Sequence, residues 1–242
     1  MAQLLNSLIA APTPPAFAVL HRAGGPGVEV LVGEVVDVER LADIPLPNLQ
    51  PGPAGPQVLA LVPYRQVTER GFACHDDLAP LRCLVVRDRE VLDLDRALTL
   101  LPTTPVGVTE GKFDVDDHAY AGVVARVIND EIGRGEGANF VIRRDYLART
   151  SVPAPHAALR LLRRLLIGEP GAYWTFAVHA GDRTMVGASP ERHVSVCGGQ
   201  VLMNPISGTY RFPPEVPAGR GCCSSWPIRR RPRSCSWWWT RS

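Results

Sequence analysis

The chain has 242 residues, 45% hydrophobic and 21% charged, with a formal net charge of +2. Six arginines lie between Ala218 and Ser242, so residues 1–217 carry 20 basic and 24 acidic side chains, a net of about −4. That balance excludes an electrostatic case for a nucleic-acid partner, and no run of about eighteen apolar residues offers a membrane span.

The first eleven residues are mildly apolar but lack the basic start of a signal peptide. Outside the tail, Cys74, Cys83 and Cys197 have no zinc-type spacing and are odd in number. Reduced thiols in a cytoplasmic protein are the simplest account. The apolar content supports a real core, in one large domain or two small ones.

In chain order, Ala16 to His21 and Val28 to Val36 read as strands, separated by the turn Gly24-Gly25-Pro26-Gly27. Pro45 to Pro56 is a proline-rich loop. Gln57 to Val62 and Cys83 to Arg87 read as strands, and Val106 to Asp114 as a linker. Asp116 or Asp117 caps a helix running to about Gly133, with Tyr120, Val123, Val124, Val127, Ile128 and Ile132 on one side. Ala138 to Arg143 reads as a strand. Pro153 or Pro155 opens a second helix ending at Gly168, with Leu159, Leu162, Leu165 and Leu166 as its apolar stripe and Arg160, Arg163 and Arg164 as a solvated face. Tyr173 to His179, Arg183 to Gly187, His193 to Cys197 and Gln200 to Met203 read as consecutive antiparallel strands, with turns at Ser189-Pro190 and Gly198-Gly199. The expected class is α+β, since the elements do not alternate regularly as in a doubly wound sheet.

The composition breaks at the end. From Ala218 to Ser242 there is no Asp, Glu, Leu or Val, yet this stretch holds three of the six Cys and four of the five Trp. Such a skew is foreign to globular domains. Trp has the single codon TGG, so Trp237-Trp238-Trp239 read one base earlier ends in Val-Val, and Thr240 becomes Asp. With GC-rich codons the whole tail reads as an acidic, leucine-bearing, helix-like sequence. The chain's 25 Arg against the single Lys112 fit a GC-rich gene. The expectation is a frame break between about Phe212 and Gly219, leaving residues 218–242 as an out-of-frame, disordered tail. The alternative is a basic, Trp-rich tail by which a non-enzymatic protein binds an anionic partner.

Two blocks carry chemistry: Gly187-Ala188-Ser189-Pro190-Glu191-Arg192 and Asn204-Pro205-Ile206-Ser207-Gly208-Thr209. Glu191, at a strand end beside a turn, can serve as a general acid if partial burial keeps it protonated. Alone, a Ser-Pro-Glu tripeptide is commonly a turn. The Gly208-Thr209 turn lets backbone N–H groups approach a carboxylate, and the Ser207 and Thr209 hydroxyls add donors.

The paired blocks resemble the chorismate-utilising enzymes, the anthranilate synthase component I-like family, over roughly residues 15–211. Pro63-Tyr64-Arg65-Gln66, Glu69-Arg70-Gly71-Phe72 and the Asn-Pro-Ile-Ser-Gly-Thr-Tyr-Arg run look closest to the phenazine-type 2-amino-2-deoxyisochorismate synthases. The resemblance implies an incomplete sandwich of antiparallel sheets with outer helices. It divides the chain into residues 1–110, the N-terminal part of a synthase module, and 111–217, the first part of a chorismate-binding domain. It gives Glu191 the acid role at the C4 hydroxyl of chorismate and Ser207, Gly208 and Thr209 the substrate carboxylate. The block Gly135 to Arg144 matches a third family segment, in which water-adding members place a Lys. Here Asn139 stands there, and ammonia needs no base-activated water, so Asn139 favours amination.

The resemblance also implies Mg²⁺, most of whose ligands this chain lacks, and a glutamine amidotransferase domain or subunit supplying ammonia. Family members are often dimeric. The implied activity is amination of chorismate, with anthranilate formation as the alternative, and this chain is expected to be an inactive, truncated fragment.

Overall fold

The computed structural model describes residues 2–46, 55–137, 139–197 and 199–204. They form two units, residues 1–109 with 150–190 and residues 110–149 with 191 onward.

The first unit is built on a six-stranded antiparallel sheet. Its strands are β1 (Phe17–Arg22), β2 (Val28–Val38), β3 (Val58–Leu61), β4 (Leu81–Leu92), β7 (Trp174–Ala180) and β8 (Arg183–Ser189), in the order β3-β4-β2-β1-β7-β8. Side chains alternate across a strand, and β1 shows it. Phe17 and Val19 join a core with Val28, Val30 and Ala177 beneath the helices, while Ala18 and Leu20 join Leu31, Leu84 and Val178 on the other face. The helices over the first face are α1 (Gln3–Ala10), α2 (Leu94–Leu100) and α4 (Ala154–Gly168). Leu5, Leu8, Ala97, Leu159, Leu162 and Leu166 supply their buried side. Each large side chain buried there stabilises by about 1.5–3 kcal/mol.

Two polar devices hold this unit. Helix α1 has no side-chain cap of its own. The Glu90 carboxylate from β4 accepts instead from the N–H groups of Gln3, Leu4 and Leu5 at 2.8, 3.2 and 3.3 Å, satisfying donors that a helix start leaves open. Glu29, 1% exposed, is held by Arg22 at 2.5 Å and Arg89 at 2.8 Å. A buried carboxylate requires such pairing. The bulge between Val32 and Gly33 has a steric reason: a Cβ at Gly33 would lie 2.0 Å from the Val85 carbonyl oxygen.

The second unit contains α3 (Asp117–Arg126), continued by a π-helical turn over Val127–Ile132, and the hairpin of β9 (Arg192–Cys197) and β10 (Gln200–Asn204). Strands β5 (Val108–Phe113) and β6 (Tyr146–Thr150) pair with each other, and most of their residues belong here. Asp116 caps α3, its Oδ1 accepting from Ala119 N–H at 2.8 Å, as its position predicts.

The α+β class and antiparallel sheets match the sequence reading, and three local expectations change. Val106 to Asp114 is not a linker: it holds β5, whose Phe113 ring meets Tyr146 edge-on at 5.1 Å. Of the strand expected over Ala138 to Arg143, Ala138 lies outside the described residues and residues 139–143 are not a strand; the strand starts at Tyr146, where β5 offers backbone partners. The four strands from Tyr173 to Met203 are not one meander: β7 and β8 belong to the six-stranded sheet, and β9 and β10 pair only with each other among the described residues. Of the arginines expected on a solvated face of α4, Arg160 donates to Pro105 O and Arg163 to Leu98 O, both at 3.2 Å.

Candidate active site

Glu191 stands where the chain passes from the first unit to the second. Up to Ser189 the motif is ordinary sheet, with Gly187 opposite Phe176, Ala188 opposite Thr175 and Ser189 opposite Trp174. Gly187 leaves room for the Phe176 ring: a Cβ there would lie 2.9 Å from its tip. Tyr173 N–H donates to Ser189 O at 2.8 Å, closing the hairpin end. Pro190 has no N–H to extend a ladder, and β9 begins two residues later at Arg192. The Glu191 side chain is therefore delivered at the break between two strands, and it is exposed.

Asn139 lies in the second unit too, exposed on the loop that follows the π-helical turn. That loop is anchored downstream. Arg144 Nη2 donates to Asp117 Oδ1 at 2.5 Å and its Nε to Val115 O at 2.7 Å. Its guanidinium sits 3.8 Å from the Phe113 ring centre and 5.2 Å from that of Tyr120. Tyr120 OH reaches Ile142 O at 3.4 Å, and Asp145 and Asp114 exchange backbone and side-chain bonds at 2.9 and 3.0 Å. Between these anchors and Asn139, Val141 is 95% exposed. The sequence reading did not single out Arg144. Its partners Phe113, Val115, Asp117 and Tyr120 all lie far upstream in the chain, so nothing local to Arg144 marks it.

Ser207, Gly208 and Thr209 lie outside the described residues. Strand β10 runs up to Asn204, so the hairpin after Glu191 leads directly to that motif. Among the described residues, no three His, Cys, Asp or Glu side chains converge into a group that could hold a metal ion. These residues do not fit a self-contained Mg²⁺ site. No helix among them is long and apolar enough to cross a membrane.

Other motif residues have structural duties. In the 3₁₀ turn Tyr64–Arg70, the buried Gln66 amide donates to Glu39 O at 3.0 Å and to Glu69 Oε1 at 2.6 Å. The same Glu69 oxygen accepts from Leu41 N–H at 3.0 Å. Gly71 closes the turn at φ +81°, a left-handed conformation that favours glycine. Two residues that carry the resemblance thus tie one loop to another.

Among known proteins, the chain is 49% identical over 88% of its length to "Anthranilate synthase, phenazine specific" of Pseudomonas chlororaphis. It is 48% identical over the same share to the protein of that name from Pseudomonas fluorescens. The "Anthranilate synthase" of Azospirillum brasilense is 29% identical over 78% of the chain. The chain spans about a third of the length of the Pseudomonas relatives, 34% in each case. Residues 69–215 match the family described as chorismate binding enzyme, a stretch that includes Asn139, Glu191 and the motif at Ser207 to Thr209. The chain belongs to the chorismate binding enzyme family.

Proposed function

We propose that this chain is part of a cytoplasmic synthase that aminates chorismate to 2-amino-2-deoxyisochorismate in phenazine-type secondary metabolism. The observation that carries the reading is the 49% identity, over 88% of the chain, to a relative named phenazine specific. Ammonia bonds to ring carbon C2. The C4 hydroxyl departs as water, taking its proton from Glu191, so chorismate and ammonia give the amino product and water. Asn139 accepts a hydrogen bond from ammonia and orients it, where a basic side chain would serve a water nucleophile. Ser207, Gly208 and Thr209 hold a substrate carboxylate through hydroxyl and backbone donors. A glutamine amidotransferase domain or subunit releases the ammonia.

A second reading, anthranilate formation, draws on the words "anthranilate synthase" in the names of the relatives. There the amino product would lose pyruvate and become aromatic. One assay separates the two. The chain is combined with the remaining part of the Pseudomonas chlororaphis relative, chorismate, ammonium and Mg²⁺. The expected result is loss of chorismate to a product that keeps its enolpyruvyl ether by mass, with no pyruvate. Pyruvate released in step with chorismate loss would replace amination alone by the second reading. Glu191→Gln should lower kcat by about 100-fold or more, and unchanged turnover would remove Glu191 as the acid.

A further inference from the structure

Asn139 sits between two fixed points. Upstream, Gly135 is left-handed at φ +81°, and Glu136 N–H closes the last helical turn on Glu131 O at 3.0 Å. Downstream, just ahead of β6, Asp114 N–H donates to Asp145 O at 2.9 Å. Residues 139–145 themselves belong to no helix or strand.

Two side chains fasten this stretch. Tyr120 OH reaches Ile142 O at 3.4 Å. Arg144 does more: its Nε donates to Val115 O at 2.7 Å, its Nη2 to Asp117 Oδ1 at 2.5 Å, and its guanidinium lies 3.8 Å from the Phe113 ring centre. One group thus joins the stretch to the end of β5, to the turn before α3 and to the first residue of α3. The Arg144 side chain is 17% exposed and that of Asp117 is 92% exposed. An ion pair with so exposed a partner adds little. The holding comes from the guanidinium plane, which meets a main-chain carbonyl and an aromatic face together. A lysine would keep the charge but has neither the plane nor the fork of donors.

We propose that Arg144 is a positioning residue for amination: it fixes the segment that carries Asn139, and through Asn139 the place where ammonia is held. The role of Asn139 rests on the proposed function, whereas the fastening by Arg144 does not. Position matters because a displacement of about 1 Å can cost about 100-fold in rate.

Two measurements test this, and the first needs no activity. Backbone amide NMR relaxation of the 242-residue chain should give order parameters of about 0.85 at residues 139–144, and Arg144→Lys should lower them below about 0.6. Arg149→Lys, in the exposed pair with Glu110, should leave them unchanged. Low values in the unmodified chain, or values indifferent to Arg144→Lys, overturn the proposal. The second is the chorismate assay with the remaining part of the Pseudomonas chlororaphis relative. Arg144→Lys should lower kcat/KM for ammonium at least tenfold and leave KM for chorismate within about twofold. In an Asn139→Ala background the same substitution should cost less than about twofold, because the two effects are coupled. A full tenfold loss in that background, an equal rise in the KM for chorismate, or turnover indifferent to Asn139→Ala overturns the proposal. If Arg144→Lys alters the circular dichroism of the chain, Tyr120→Phe replaces it, with about a threefold loss in kcat/KM for ammonium expected. A complex that turns over no chorismate refutes the proposed activity, and loss of order in Arg144→Lys then still upholds the fastening.

Discussion

The two units handle apolar residues in opposite ways. In the first, both faces of the six-stranded sheet carry buried side chains, and three helices close one of them. In the second, α3, β5 and β6 contain no buried residue, and the β9–β10 hairpin leaves Val194, Val196, Val201, Leu202 and Met203 exposed. Local patterning is equally good in both: Asp116 caps α3 as well as any residue caps a first-unit helix. The difference teaches that propensity and pattern form an element, whereas its contribution to stability depends on what covers it.

The sharpest way to break this contrast is charge removal. Glu29→Ala strips a buried carboxylate from two arginines and should destabilise by about 3–5 kcal/mol. Glu110→Ala removes the partner of Arg149 in a pair whose side chains are both well exposed, and should cost under about 1 kcal/mol. Urea unfolding of both variants checks this, and equal losses would contradict the contrast. Core truncation comes next. Leu159→Ala, fully buried under the sheet, should cost about 2–5 kcal/mol. Val201→Ala should stay within about 0.5 kcal/mol in the chain alone.

Acid sharpens the comparison further. Burial of His179 beside Phe17 lowers its pKa below the usual 6.5, with a hydrogen bond to the Arg183 backbone working weakly the other way. A folded pKa below the unfolded one means that the unfolded chain binds more protons, so stability is present above about pH 6.5 and declines as pH falls through the folded value. Arg82 hydrogen bonds lower the pKa values of both Asp37 and Asp182 from the usual 3.8, so their contribution is present above that pH and is lost as pH falls through the still lower folded values. The urea midpoint should therefore fall in two stages, and His179→Asn should remove the first; a single late stage in the unmodified chain would contradict this. The smallest effect is a gain. Leu78 holds φ +59° while exposed, and Leu78→Asn, which tolerates that conformation, should stabilise by about 0.5–1 kcal/mol in a thermal melt.

Much of the first unit was legible because its signals are local. Alternation marked β1, β2, β7 and β8, Pro153 marked the start of α4, and the glycine turn marked the first hairpin. Helix α1 escaped, although Leu4, Leu5, Leu8 and Ile9 have helical spacing, because its start bears no capping residue and Glu90 caps it from elsewhere. Strand β5 escaped because an exposed strand has no alternation to show; none of its residues is buried. Residues 139–143 have strand-like side chains without a described neighbour to pair with. In the candidate site, motif spacing located Glu191 and Asn139, while the exposure of both and the Arg144 anchor belong to three dimensions.

By itself, the sequence determined the α+β class, most element boundaries and the family, since each depends on a few neighbouring residues and their spacing. The tertiary structure alone decided that β1 lies between β2 and β7, that Glu29 is buried between two arginines, and that Glu90 completes α1. Those outcomes join residues far apart in the chain, and their energies arise only when packing brings the partners together.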